Sequence, residues 1–243
     1  MNTFDLHIIY FINQFAHASL ILNEYINVFA NNNFLTIAPI ASLLWWYWFK
    51  KDERESNNRQ AVISTIIGCI FVGLIFFLIR ETDLIFEYRL SPICNKGINF
   101  QIPDGINLQS LDLCRSAHTS FPSGHAALLF ALSFGLVYIS RLTGLLCLIY
   151  SFIICLPRIY LGLHYPTDII GGAFLGVGIV YLTNLKSIKN SLTQHILKWS
   201  NYHPASFYAV FFLISCETAT YCANAGEIVR SFVKFLKLLP NLF

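Results

Sequence analysis

Two histidines lie where polar residues give way to apolar runs, and their neighbours are residue types that bind anions. His125 follows Ser123 and Gly124 and opens the run HAALLFALSFGLVYIS. We expect a helix to begin there, and the free N–H groups and positive dipole of a helix N-terminus bind anions. Gly124 lets a ligand approach the backbone, and the Ser123 hydroxyl can donate a hydrogen bond. These residues predict a phosphate cradle with an imidazole beside it.

The second histidine lies in the segment RIYLGLHYPTD. His164 comes six residues after Arg158 and four residues before Asp168. Pro166 fits the first position of a helix, which places Asp168 in its first turn. The Asp168 carboxylate can accept from one ring nitrogen of His164 and leave the other lone pair facing outward, which orients and activates a histidine nucleophile. Arg158 offers a planar fork for phosphate oxygens.

The two segments together predict one nucleophile and one general acid on the same face of a membrane. Taken singly, each residue has a plainer explanation: an interfacial histidine, a carboxylate at a helix start or an arginine reaching the interface. Their joint spacing favours metal-free phosphoryl transfer through a phosphohistidine. A metal site fits poorly, because only two histidines and one carboxylate converge and arginines surround them.

The composition is that of an integral membrane protein. The 243 residues are 56% hydrophobic and 12% charged, with a mean hydropathy of +0.58, whereas soluble domains carry about 25% charged residues. A net charge of +3 without a basic tract argues against nucleic acid as a partner. The first 20 residues have no basic segment before their apolar stretch, so we expect no cleavable signal peptide.

The apolar runs predict an all-α fold, a polytopic transmembrane helical bundle of five to six spans with interfacial N- and C-terminal helices. The predicted spans are 34–49, 61–79, 125–140, 144–157, 167–184 and, with Glu217 inside it, 205–223. The predicted units are an interfacial region (1–33), a catalytic core with an outer loop at 80–121 (34–184), and an additional span with a basic tail (185–243). A polar stripe favours an interfacial helix over a span for residues 4–22.

Basic residues set the expected orientation. The 50–60 hairpin, the turn at Arg141 and the 185–204 stretch carry lysine and arginine, and the positive-inside rule makes that side cytoplasmic. The 80–121 loop and the 158–166 link then face outward. Cys94 and Cys114 both lie in that loop, where an oxidising compartment would allow them to pair; two free thiols are the alternative.

The motifs resemble those of the type 2 phosphatidic acid phosphatase (PAP2) family, membrane lipid phosphatases related to vanadium haloperoxidases. The family motif Pro-Ser-Gly-His is present unchanged at 122–125. The motif Ser-Arg-x5-His-x3-Asp is present at 157–168, with Pro157 replacing serine. The resemblance covers roughly residues 34–184.

The first family motif, Lys-x6-Arg-Pro, departs from the pattern. It is approximated by RLSP, which begins at Arg89, and Thr82 stands where the lysine is expected. Arg80 is the nearest basic residue upstream, and Arg115 is an alternative source of the missing charge. A displaced motif would weaken an enzyme without abolishing its activity, because one lost oxyanion donor costs about 10²–10³ in rate.

The resemblance implies a mechanism and a substrate class. His164 attacks phosphorus, Asp168 orients it, and His125 protonates the leaving oxygen, without a metal or cofactor. The implied phosphate-binding residues are Arg158, Ser123, Gly124, Arg89 and Arg80. The chain looks most like the bacterial undecaprenyl-diphosphate phosphatases of the family, which implies a multi-pass protein of the bacterial cytoplasmic membrane with its site on the outer face.

Other functions stay open. The partners we expect are a phospholipid or prenyl-diphosphate substrate and membrane lipids, and no protein partner can be inferred. Phosphatidylglycerophosphate, phosphatidic acid and lipid A phosphates are alternative substrates. A non-catalytic protein that binds anionic lipids on the same scaffold is a second hypothesis. An unrelated transporter is a third, for which only Glu217 is a candidate mid-membrane charge.

Overall fold

The computed structural model describes residues 2–82, 89–106 and 119–219, with backbone alone at 80–82 and 219. Within these ranges the chain is helical, without a strand. The helices are α1 (Thr3–Asn13), α2 (Leu20–Asn31), α3 (Asn33–Thr36), α4 (Ala38–Phe49), α5 (Glu55–Thr82), α6 (Gly124–Val137), α7 (Arg141–Tyr160), α8 (Pro166–Thr183), α9 (Lys186–Tyr202) and α10 (Pro204–Ala219). A 3₁₀ turn lies at Pro92–Cys94. The predicted tail helix, Cys114, Arg115 and the Arg80 side chain lie outside the described part.

The predicted all-α membrane bundle is confirmed. In the part of the chain that the structure describes, three helices are long and apolar enough to cross a membrane: α5 over Glu55–Ile79, α7 and α8. The helices α6 and α10 are apolar but shorter. One side of α7 exposes a continuous apolar stripe, as a lipid-facing helix does. The stripe consists of Leu142, Leu145, Leu146, Ile149, Phe152, Ile153 and Leu156.

The N-terminal region forms two short helices rather than one long one. The helices α1 and α2 have 11 and 12 residues, which gives each about 17 Å, well short of the 30 Å of a bilayer core. The predicted 34–49 span is also divided, because α3 ends at Thr36 and α4 starts afresh with Pro39 in its first turn.

Two boundaries differ from the sequence-based expectation. The helix α7 runs through Pro157 to Tyr160, so Arg158 lies in its last turn and not in a link. Proline usually breaks a helix because it lacks an N–H and crowds the preceding turn, but the buried Cys155 and Ile159 dock this end against the core. The polar 185–204 stretch is the helix α9.

The long helices alternate in direction, which brings four helix ends together. At one end of the bundle the Ser123 N–H donates to the Asp168 carbonyl at 3.0 Å, joining the N-termini of α6 and α8. Towards the other end the Ser64 hydroxyl donates to the Thr183 carbonyl, joining the first half of α5 to the end of α8. The N-termini of α6 and α8 and the C-termini of α5 and α7 therefore share one end.

The parallel helices α6 and α8 touch through glycine. A Cβ on Gly172 would lie 2.3 Å from the Ser123 carbonyl oxygen, and one on Gly176 would lie 2.0 Å from that of Ala127. Small residues allow such backbone approach between membrane helices. Gly178, on the same helix, faces open space with nothing within 4 Å of its Cβ position.

Replacing Gly176 with alanine should therefore force the two helices apart. We expect Gly176→Ala to lower stability by about 1–3 kcal/mol or more, the usual cost of overpacking, measured as thermal unfolding of the purified protein in detergent. The matched control Gly178→Ala should be neutral or stabilising by up to about 1 kcal/mol, because alanine favours helix. Equal effects of the two substitutions would contradict the assigned contact.

Candidate active site

The ring of His164 is anchored from one side. Its Nδ1 lies 3.0 Å from the Ser120 carbonyl oxygen and 3.7 Å from Oδ2 of Asp168. A carbonyl only accepts hydrogen bonds, so Nδ1 carries the proton and Nε2 keeps its lone pair. Nδ1 therefore faces two acceptors, and not Asp168 alone as the sequence predicts. The Ser120 carbonyl is the nearer of the two, and the Asp168 carboxylate lies just beyond hydrogen-bond distance.

Asp168 is fully buried, and its two oxygens have separate partners. Oδ2 accepts from the Tyr165 N–H at 2.8 Å, which caps the start of α8, and faces His164. Oδ1 accepts from Nη1 of Arg89 at 2.6 Å. Pro166 is the first residue of α8, as predicted from its sequence position. The carboxylate therefore caps a helix and contributes negative charge beside the histidine.

Burial sets the protonation of His164. Removal from water lowers the pKa of His164 below its ordinary value, the charge of Asp168 acts in the opposite direction, and the charge of Arg158 lowers it further. The net effect favours neutral imidazole. The residue thus has the protonation state that a nucleophile requires.

His125 and Arg158 belong to the same cluster. Both lie within electrostatic range of His164 and of one another. Arg158 is 8% exposed and donates from Nη1 to the Ala30 carbonyl at 2.9 Å, which anchors its side chain to the end of α2. The structure thus brings together the four residues that the sequence singled out for nucleophile, orienting group, acid and phosphate contact.

Ser123 is the N-cap of α6, and Gly124 is its first residue. The Ser123 hydroxyl accepts from the Ala126 N–H at 3.4 Å, which leaves its proton available to donate. The side of Gly124 where a Cβ would project is filled by the ring of Phe76, 2.7 Å away. Helix packing is therefore a second reason for glycine at this position, besides the predicted approach of a ligand.

Arg89 is tied to protein carboxylates. Its Nη1 donates to Asp168 and to the Thr167 hydroxyl, and its Nη2 donates to Oδ2 of Asp5 at 2.6 Å. The guanidinium lies 3.8 Å from the centre of the Tyr165 ring. The predicted contact between Arg89 and phosphate stays a prediction. For Arg80, the structure describes the backbone only.

Sequence reasoning missed two contributors to this site. The Ser120 carbonyl accepts from His164, and the Ser120 N–H donates to the Arg89 carbonyl at 2.7 Å. Asp5 on α1 contacts Arg89 and Thr167. A backbone acceptor leaves no trace in residue types, but an acidic residue in the apolar N-terminal stretch was a visible signal.

Two further features concern metals and cysteines. In the described residues no group of three or more histidine, cysteine or acidic side chains could hold a metal ion. Cys94 is disulfide-bonded. Its predicted partner, Cys114, lies outside the described ranges, so that pairing stays a prediction.

Comparison with known proteins finds similar bacterial proteins and a match to a protein superfamily. The chain is 26% identical over 151 residues to the putative undecaprenyl-diphosphatase YbjG of Escherichia coli (strain K12), covering 62% of this chain and 66% of that protein. It is 29% identical over 132 residues to the bacitracin transport permease protein BcrC of Bacillus licheniformis, covering 54% and 56%. The chain thus spans less than two thirds of the length of both relatives.

A third relative aligns over more of the chain. The lipid A 1-diphosphate synthase of Escherichia coli (strain K12) is 25% identical over 206 residues, which cover 82% of this chain and 84% of that protein. No solved structure matches the chain significantly. Residues 91–191, which contain His125, Arg158, His164 and Asp168, match the PAP2 superfamily. This region is therefore what the chain shares with the PAP2 superfamily.

Proposed function

We propose that this protein is a lipid phosphatase that works through a phosphohistidine on His164, and that its substrate is undecaprenyl diphosphate. The observation that carries the proposal is the anchoring of His164 Nδ1 by the Ser120 carbonyl at 3.0 Å, which frees Nε2 for attack. The buried carboxylate of Asp168 stabilises the positive charge that the ring gains when it attacks. A residue that only binds lipid needs neither feature.

In the proposed reaction, Nε2 of His164 forms a bond to phosphorus while the bond between phosphorus and the leaving oxygen breaks. His125, which takes up a proton when the anionic diphosphate binds beside it, gives that proton to the leaving oxygen. Water then attacks phosphorus and gives a proton to His125, and the bond between Nε2 and phosphorus breaks. Inorganic phosphate leaves, and both histidines return to their starting states. We propose that no metal ion takes part.

The charge around the site supports an anionic substrate. The N-termini of the parallel helices α6 and α8 meet here, and their partial positive charges favour phosphate oxygens. Arg158 adds a full positive charge within range of both histidines. We propose that Arg158, Ser123 and the Gly124 amide bind the phosphoryl oxygens. Arg89 contributes indirectly, because it holds the Asp168 carboxylate in place.

The proposed substrate is supported by the name of a relative, and the proposed membrane face is supported by the distribution of basic residues. YbjG is named as a putative undecaprenyl-diphosphatase, which supports a polyprenyl diphosphate. Lys50, Arg54, Arg141 and Lys186 lie at the end of the bundle opposite His164, which supports a site on the outer face of a bacterial cytoplasmic membrane.

A second candidate function is phosphoryl transfer to another lipid. The relative that covers 82% of the chain is named as a lipid A 1-diphosphate synthase, a name that denotes addition of phosphate to lipid A. The same phosphohistidine would then be attacked by a lipid phosphate in place of water. Undecaprenyl diphosphate labelled in its terminal phosphate separates the two, because the label ends in inorganic phosphate in one case and in lipid A in the other.

The His164→Ala variant should lose turnover. We expect phosphate release from undecaprenyl diphosphate by purified protein in EDTA to fall by roughly 10³-fold or more, the loss seen when a nucleophile is removed. The matched control is His195→Ala, because His195 is an exposed histidine on α9 outside the cluster. Similar rates for wild type and His164→Ala, or loss of wild-type activity in EDTA, would contradict the proposed mechanism.

The pH profile should report the environment of His164. Because burial lowers its pKa, the acid limb of kcat/KM should lie below the ordinary histidine value of about 6.5. Asp168→Asn removes the negative charge that raises this pKa. The limb should therefore move to still lower pH, while kcat falls by roughly 10²–10⁴-fold.

Both enzymes are measured on one substrate, so the ionisation of the substrate phosphate is common to both profiles. A limb that moves to higher pH in Asp168→Asn would show that the carboxylate does not act on His164 as stated.

A further inference from the structure

An acidic side chain of the N-terminal helix is buried against the active site. Asp5 lies in α1 and has no exposed surface. Its Oδ1 accepts from the Thr167 N–H at 2.9 Å, and its Oδ2 accepts from the Thr167 hydroxyl and from Nη2 of Arg89, each at 2.6 Å. A buried carboxylate is stable only when it is paired and hydrogen-bonded. Three donors from two segments meet this requirement.

Arg89 connects Asp5 to the catalytic carboxylate. Nη2 of Arg89 bonds to Asp5 and Nη1 bonds to Oδ1 of Asp168 at 2.6 Å, so one planar guanidinium spans two buried acids. This contact uses the Asp168 oxygen that points away from the histidine. Oδ2 is left to the Tyr165 N–H and to His164. The rotation of the Asp168 carboxylate is therefore set by Arg89, and Arg89 is held by Asp5.

We propose that Asp5 is a positioning residue of the active site: through Arg89 and Thr167 it fixes the orientation of Asp168, and with it the histidine that Asp168 supports. The inference rests on the proposed function, because it requires His164 to be the nucleophile. It also makes α1 part of the active site, although Asp5 and Arg89 both lie outside residues 91–191 that match the superfamily.

The charge arrangement explains why an acid is needed at this position. If Asn replaces Asp5, its amide N–H₂ or its single carbonyl must face donors from Arg89 and Thr167, and Arg89 loses one of its two counter-charges. Arg89 can then turn fully towards Asp168, and the Asp168 carboxylate would rotate towards Arg89 and away from His164. Among the described residues, the other charged or titratable neighbours of this cluster are Tyr165, whose ring lies against Arg89, His125 on α6 and Arg158 on α7. None of them is a carboxylate that could replace Asp5.

The test compares Asp5→Asn with a variant that weakens the same helix elsewhere. Asn13 lies at the other end of α1 and exchanges two hydrogen bonds with the backbone of Gln101, at 2.6 and 2.7 Å. In Asp5→Asn we expect kcat for phosphate release to fall about 10–100-fold with KM changed less than about 3-fold. In Asn13→Ala, which leaves Arg89 and Asp168 untouched, kcat should stay within about 3-fold of wild type.

A double-substitution cycle shows whether Asp5 acts through Arg89. If it does, adding Asp5→Asn to Arg89→Gln should lower kcat by less than about 3-fold beyond Arg89→Gln alone, since coupled residues are not additive. Should Asp5→Asn fail to fold, Thr167→Val tests the same network, because it removes the hydroxyl that joins Asp5 and Arg89. Thr167→Ser is expected to recover most of the activity that Thr167→Val loses.

The outcomes separate this inference from the proposed function. Wild-type activity in Asp5→Asn, or in Thr167→Val where Asp5→Asn does not fold, overturns the positioning role while the loss in His164→Ala still supports the function. Equal losses in Asp5→Asn and Asn13→Ala also overturn it, since they reflect docking of α1 alone. If the losses of kcat in Asp5→Asn and Arg89→Gln are fully additive, the positioning role is overturned as well. If wild type and His164→Ala release phosphate equally, the proposed function itself fails.

Discussion

The backbone contact between the parallel helices α6 and α8 is the constraint on which the site depends. Gly172 and Gly176 let the two helices approach until a Cβ would overlap a carbonyl oxygen, and the Ser123 N–H then reaches the Asp168 carbonyl at 3.0 Å. The close packing and this hydrogen bond together place two helix N-termini side by side. The motif that ends in His125 and the motif that contains His164 are thereby held in one place although they are about forty residues apart.

The contact has an electrostatic cost that the surrounding residues offset. Two positive helix ends and Arg158 lie close together, and neutral imidazole is favoured beside them. Asp168 and Asp5 supply negative charge on the protein side, and Arg89 lies between them. The Asp168 carboxylate thus lies on the Nδ1 side of His164. In the proposed reaction, the two helix N-termini and Arg158 would stabilise the phosphoryl group that bonds to Nε2.

Much of the site could be predicted from neighbouring residues in the sequence, whereas the contacts between distant segments could not. Ser123 as a helix cap, Pro166 as a first helical residue and the spacing of His164 and Asp168 depend on neighbours within a turn. The Asp5–Arg89 pair joins residues 84 positions apart, and the Ser120 acceptor is backbone, so neither has a local pattern. The end of α7 was misplaced at Pro157 because tertiary packing overrode the helix-breaking tendency of proline.

The central claim is that His164 becomes covalently phosphorylated. The most direct measurement mixes the protein with undecaprenyl diphosphate carrying a ³²P-labelled terminal phosphate, quenches within milliseconds in alkali, and maps the label by mass spectrometry. The account predicts an alkali-stable, acid-labile phosphate on His164 that forms before free phosphate and then decays. Turnover that releases phosphate with no labelled enzyme, or with the label on another residue, would contradict it.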